Sequence, residues 1–512
     1  MSQTKAQLIS DLVQALNFTG TASAPANGVF LSATNTLAFA TNSGSRVTID
    51  SNGKATFNVD GVFNSVNIGK GANSVSGNTV LGESALDASV SGANNTAIGK
   101  NALTDLTSGA ANVCIGTSSG IDITTGSNNT AVGVSSLFTQ TTASNNTAFG
   151  RSTLKFNTSG DENVAVGGFA LDANTTASNN TAVGYNSLGA TTTGSENTGV
   201  GSSSLVNNTT GNNCTAIGRS SMVENTSGAS NTAVGADSLK NNTTASNNTA
   251  VGKNALVANT TGDRNVAVGV DALTTNTTGT LSVAVGFEAL KLSTGGLATA
   301  VGAFAADAHT TAAYTTAIGY AALGALTTGT ANTGVGHQAG ASATTASHNT
   351  AVGYNALVNS TGASNTAIGS RSLDANTTGA SNTAVGVDCL GGNTTADNNT
   401  ALGNNALKTN TTGAGNTAIG ANALDANTTA GLNVAIGQDA LGANTTGQQN
   451  TVVGALAMDA NTTANNCTAV GMSVLGQNTT GSSNTAMGHN SMAINTTGTQ
   501  NVALGMQTLF HN

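Results

Sequence analysis

The chain has 512 residues, of which only 7% are charged and 3% aromatic, with 65 glycines, one proline and no tryptophan. A formal charge of −9 with only 14 lysines and arginines excludes a nucleic-acid footprint, and no run is long and apolar enough to cross a membrane as a helix. The four cysteines, Cys114, Cys214, Cys389 and Cys467, are too scattered for a disulfide framework and read as small residues of a chain made in a reducing compartment.

Residues 1–17 open the chain as an amphipathic segment. Leu8, Ile9, Leu12, Val13 and Leu16 fall on one stripe of a helix over residues 3–17. So short a helix is marginal alone, so the stripe calls for a partner, either further copies of the chain or a docking protein. The opening lacks the basic-then-apolar form of a signal peptide, which points to synthesis in the cytoplasm. Residues 18–27 read as a linker.

Residues 28–64 form a small β unit with short strands at Val29–Leu31, Thr36–Ala40, Arg46–Asp50 and Lys54–Val59. Asp50-Ser51-Asn52-Gly53 is hairpin-turn chemistry. Residues 65–77 are a transition to a repeat array that begins at residue 78. In it Ser65-Val66-Asn67-Ile68-Gly69 reads as a first imperfect copy of the repeat and covers the first edge of the array.

From residue 78 to 512 one phrase repeats. Asn416 to Leu432 is a clean copy, and its residues define slots one to seventeen. The slot-five glycines run from Gly82 to Gly505 and mark 26 copies, spaced by 17 residues except for 16 at Gly286–Gly302 and Gly353–Gly369. So strict a register makes each copy one structural step stacked on the last. Slot four is apolar in every copy, slot two is mostly Thr or Val, and Ala lies between them at slot three. This alternation is the period-2 signature of a strand. Slot nine is Leu in 20 copies and Met in three, with Gly120, Ala306 and Gly340 as departures. Asn-Thr-Thr-Gly near slots twelve to fifteen is turn chemistry. The expected fold is all-β, a parallel β-solenoid (a β-roll or β-helix) of about 26 coils. At about 4.8 Å per coil this predicts a rod on the order of 125 Å long.

Stacking makes each slot a column of like residues, and two like charges at that spacing repel by about 0.9 kcal/mol even at the dielectric constant of water. Charges are accordingly sparse, while Asn and Thr can hydrogen-bond along the stack. The larger side chains of slots two and four, with slot nine, are expected to form the core. Ala at slot three is then expected outside, as a flat strip for close approach of another copy. A core two or three side chains wide, this strip and the N-terminal stripe together lead to an expected parallel homotrimer.

Three stretches carry a resemblance. Arg46-Val47-Thr48-Ile49-Asp50-Ser51-Asn52-Gly53-Lys54 resembles a hairpin of bacteriophage tail-fibre proteins. Met1-Ser2-Gln3-Thr4-Lys5-Ala6-Gln7-Leu8-Ile9 is similar to the start of structural proteins of marine phages, cyanophages especially. The Asn-Thr-Ala-Val-Gly repeat resembles the head repeats of trimeric autotransporter adhesins. The resemblance implies a left-handed roll, a trimer, and a virion fibre, a tail fibre projecting to the host surface, with residues 1–64 docked to other virion proteins. A passive virion spacer or capsid decoration, or a non-phage adhesin, are the alternatives. The adhesin repeats are shorter than 17 residues, and their signal peptide and membrane anchor have no counterpart here.

No enzyme, cofactor or metal is expected. Every Gly-Lys pair is followed by Ala, Asn or Gly, so there is no phosphate loop, and the five histidines lie in no zinc spacing. One column invites a binding reading: slot six holds Arg151, Tyr185, Arg219, Lys253, Phe287, Tyr320, His337, Tyr354 and His489. Aromatic and basic side chains in a line could engage host surface glycan or protein. The competing reading is an outer corner free to vary.

Overall fold

The structure, a computed structural model, describes residues 64–511 throughout and, between residues 27 and 63, the backbone of five strands. The helix expected over residues 3–17 lies outside the described residues, as do the linker and the Asp50–Gly53 turn. By its contacts the chain divides into two compact units, the first ending at Ser202 and the second beginning at Ser203. The sequence period runs through that boundary unchanged, from Gly201 to Gly218.

The first unit begins with an antiparallel meander of β1 (Asn27–Ala33), β2 (Thr36–Thr41), β3 (Gly44–Ile49) and β4 (Ala55–Phe57), paired in that order. β5 (Gly61–Phe63) and β6 (Val66–Gly69) form a further antiparallel pair. β6 also pairs antiparallel with β7 (Thr79–Gly82), placing Ile68 opposite Leu81. Val66–Gly69 is thus no coil, which corrects its reading as a first copy of the repeat. As an antiparallel strand it occupies the edge hydrogen bonds of the first coil, the edge-covering role expected of this region.

Within each unit, every step from β7 onward is parallel. β7 pairs with β8 (Thr96–Ile98) in register Thr79↔Thr96, Val80↔Ala97, Leu81↔Ile98. The same three slots pair coil after coil in both units, for example Thr147↔Val164 in the first and Thr417↔Val434 in the second. The only helical turn among the described residues is the short 3-10 stretch Ala72–Ser74. The fold is the expected parallel β-solenoid with a 17-residue repeat.

The coil closes through three left-handed corners. In the clean copy Asn422, Leu424 and Leu432 have φ of 54°, 54° and 62°. Asn and Asp tolerate this region, whereas Leu costs about 1–2 kcal/mol there. The Leu424 corner persists because it turns that side chain wholly inside. Gly420 has φ +134°, and a Cβ there would collide with the carbonyl oxygen of Gly437 one coil on, so slot five admits only glycine.

The core is not the expected one. Six slots point inward: Asn416, Ala418, Ala423, Leu424, Asn427 and Ala430 of the clean copy are all buried. Slot three is inside, with Ala418 at 0% exposure, and slots two and four face out: Leu402 is 47% and Phe149 55% exposed. The expectation that slots two and four are core and slot three the outer strip is therefore reversed, and Ala418 and Ala435 cannot form a surface between copies. The interior is too shallow for large residues on both walls, because Leu at slot nine reaches across it. In one coil slot three is Gly334, where an added Cβ would lie 2.8 Å from Leu323 Cγ. Where slot three is the larger Cys114, slot nine is Gly120, whose added Cβ would lie 2.6 Å from the Cys114 sulfur.

Polar columns complete the interior. The slot-one Asn112 accepts the Asn129 backbone N–H at 3.0 Å through Oδ1 and donates through Nδ2 to Gly126 O at 2.9 Å. At slot twelve, Asn427 Nδ2 donates to Asn410 Oδ1 at 2.8 Å. Outside, slot-thirteen threonines donate to the next carbonyl, as Thr107 Oγ1 does to Thr124 O at 3.0 Å. The two 16-residue coils each lose a residue at this turn: Ser293-Thr294-Gly295 and Ser360-Thr361-Gly362 replace Asn-Thr-Thr-Gly. Strand register survives, with Val283↔Thr299 and Thr350↔Thr366.

Candidate functional site

Slot six follows the slot-five glycine and precedes a left-handed residue, so its side chain leaves the coil at a sharp corner. Arg151, Tyr185, Arg219, Lys253, Tyr320, His337, Tyr354 and His489 all lie there exposed. They do not form one continuous column.

In the first unit the Arg151 guanidinium lies over the Phe169 ring at 5.4 Å, and Phe169 meets Tyr185 edge-on at 5.9 Å. In the second unit Arg219 pairs with Asp237 at 3.2 Å, and Lys240 pairs with the same carboxylate at 3.2 Å. Lys253 and His489 occupy the corner outside these groupings. The longest run is Phe287, Phe304, Tyr320, His337 and Tyr354, with successive centroids 5.3, 5.9, 5.2 and 5.4 Å apart. The first two contacts are edge-to-face, while Tyr320, His337 and Tyr354 stack at interplanar angles of 18° and 24°. This run lies over the stretch bounded by the two 16-residue coils.

Beyond Tyr354 the aromatic run stops, because the next slot six is Ser370. Its neighbour Arg371 donates its backbone N–H to Tyr354 O at 2.8 Å, which fixes it one coil above the tyrosine. The Arg371 side chain holds Asp388 with two hydrogen bonds, Nε to Oδ1 at 2.8 Å and Nη2 to Oδ2 at 3.1 Å. Lys408 Nζ approaches the same carboxylate at 3.7 Å. Hydrogen bonding to Asp388 raises the Arg371 pKa further above its ordinary value. Half-burial pushes the Asp374 carboxyl up, and the Asp388 charge adds to it.

These groups line a cavity of about 460 Å³ with Gly391, Gly392 and Thr409. The cavity has a sequence cause. Gly391 and Gly392 fill slots ten and eleven of their coil, where its neighbours carry Asp374-Ala375 and Lys408-Thr409. The missing side chain of Gly391 leaves a hollow between a carboxylate on one side and an ammonium on the other, while Gly392 lies against the Lys408 carbonyl, 2.8 Å from where its Cβ would be. Sequence reasoning caught the slot-six rings but missed Phe304 and Arg371 at slot seven, and the meaning of the double glycine. The signal was there in the break at slots ten and eleven.

Among the described residues no three His, Cys, Asp or Glu side chains converge to hold a metal ion, and no helix is long and apolar enough to cross a membrane. All four cysteines are buried and none is joined in a disulfide. No family model matches the chain, and no curated protein matches it.

Proposed function

We propose that the chain is a structural fibre protein of a phage virion rather than an enzyme: a parallel homotrimer whose solenoid forms the shaft of a tail fibre, held to the particle through residues 1–64 and meeting the host surface along its exposed corners. The observation that carries the fibre is the outward slot-four row. It is apolar in every copy, and exposed at Leu81, Ile115 and Phe149 in the first unit and at Ile217, Ile368 and Leu402 in the second. A soluble monomer rarely leaves such a row to water. A row repeated at every coil is matched side chain for side chain by a surface with the same rise, which a second copy of this chain supplies. The assembly therefore uses slots two and four, not slot three. Parallel order puts all docking ends together, and the number three and the virion setting rest on the resemblance to phage fibres and adhesin heads.

Light scattering of the intact protein tests the assembly. A mass near three times 49.6 kDa is expected, and a monodisperse monomer overturns it. Purified protein added to host cells should block phage attachment; protein that assembles but never competes leaves a passive spacer.

A further inference from the structure

The end of the aromatic run and the double-glycine cavity adjoin each other in the second unit. Tyr354 is 53% exposed and is followed by the small Ser370, so no ring of the next coil stacks on its far face. Arg371 stands between that face and the cavity, bonded by its backbone to Tyr354 and by its side chain to Asp388. The cavity volume, about 460 Å³, lies within the range of small-ligand sites.

The polar groups of the cavity indicate its ligand. Arg371 and Lys408 are cationic, Asp374 and Asp388 anionic, so the ionised lining is balanced. A charged ligand would gain little net attraction and would have to displace Arg371 or Lys408 from Asp388. A polyhydroxyl ligand offers donors and acceptors together, and can take Asp374 oxygens and the Lys408 protons without breaking the Arg371–Asp388 pair. An aromatic face carries negative charge density that attracts the C–H face of a saturated ring. Tyr354 supplies this beside the polar cavity.

We propose that Tyr354 and the cavity of Arg371, Asp374, Asp388 and Lys408 bind an uncharged oligosaccharide, one sugar ring stacked on Tyr354 and the next hydrogen-bonded in the hollow at Gly391. This deepens the host-contact reading and takes its biological meaning from it, but binding by the purified protein does not depend on it. Gly391 has no left-handed φ, and a Cβ there would meet Asp374 Oδ1 and the Asp388 carbonyl oxygen at 3.3 Å each, a tight fit met by a shift of a few tenths of an ångström, so a side chain at this slot fills the hollow while the coil persists. Slot ten carries Val in other coils, as at Val257 and Val358.

The test is an array of neutral hexose oligosaccharides, with sialylated and sulfated ones beside them, probed with the intact protein and followed by titration of the best ligand. Binding to a neutral oligosaccharide is expected, weakened tenfold or more by Tyr354→Ala and by Gly391→Val, and unchanged by Tyr314→Ala, at an exposed tyrosine outside slot six. Melting curves of all three variants should match the parent. Binding to no neutral sugar, to charged glycans only, or binding indifferent to both site variants overturns the proposal. Should the protein block phage attachment yet bind no sugar, the site fails and the attachment reading stands. Should it bind the sugar yet never compete for cells, the site stands and the attachment reading fails.

Discussion

Asn399 and Asn416 are joined twice at one oxygen: Asn399 Oδ1 accepts the Asn416 backbone N–H at 2.9 Å and the Asn416 side-chain amide at 3.2 Å. Asn399 Nδ2 in turn donates to Gly413 O at 2.9 Å. One buried carboxamide thus satisfies the slot-one N–H of the next coil and the slot-fifteen carbonyl of its own. Asn399→Leu should leave the buried Asn416 N–H without its partner, at a cost of about 1–3 kcal/mol, while Gly413 O keeps its bond from Asn410 Nδ2 at 2.9 Å. Hydrogen exchange should locate the loss at residues 399–416, with faster exchange of the Asn416 amide than in the parent. Unchanged protection there would mean the column is incidental.

Ala233 and Val234 are adjacent, with opposite fates. Ala233 is fully buried and Val234 faces outward. Ala233→Asp should break the local stack by burying an uncompensated charge. Val234→Asp should leave circular dichroism intact and instead weaken assembly in light scattering, by putting one acidic residue per copy into the shared apolar row. Equal loss of folding in both variants would argue against the outward row as an interface.

Slot-ten aspartates predict an acid-tolerant shaft. Half-burial raises the carboxyls of Asp172, Asp425 and Asp459. A carboxyl whose pKa is higher folded than unfolded binds more proton in the native state. Its stabilising effect is full below the unfolded value of about 3.9 and is lost as pH rises through the folded value. Asp425→Asn should therefore raise the melting temperature at pH 7, with the gain shrinking to nothing in acid. A gain that persists at low pH would refer it to something other than charge burial.

Cys114 and Cys389 should resist thiol reagents. Burial pushes both thiols up to about 12, so almost no thiolate exists at neutral pH. Alkylation followed by mass spectrometry should label neither in the native protein and both after denaturation. Rapid native labelling would mean that the coils open far more often than their hydrogen-bonded columns imply.

His309 predicts the opposite pH behaviour to the aspartates. It replaces Asn at slot twelve, where its Nδ1 lies 3.0 Å from Ser293 Oγ, and burial lowers its pKa. A base depressed in the fold contributes stability above its unfolded pKa, about 6.5, and loses it as pH falls below that value. His309→Asn should remove this dependence between neutral and mildly acidic pH, seen as a smaller change in melting temperature than in the parent.

The solenoid was legible in the sequence because stacking imposes translational identity: a coil that must lie on its copy keeps glycine at slot five, asparagine at slots one and twelve and leucine at slot nine. The slot-six corner was legible for the same reason, being the slot free to change. Alternation at slots two, three and four announced a strand with two different faces. It could not say which face was inside, because apolarity favours Val and Ile as core whether the larger face packs within the coil or against another copy. Only the tertiary structure decided this, through a leucine held in a left-handed corner that reaches across the interior to slot three, where small residues such as Ala97 and Ala418 prevail and nothing larger than Val80 or Val452 is buried. It likewise decided that Tyr354, Arg371 and the hollow at Gly391 adjoin. They lie 37 residues apart in the chain, and it is the rise of one coil per repeat that brings them onto one surface.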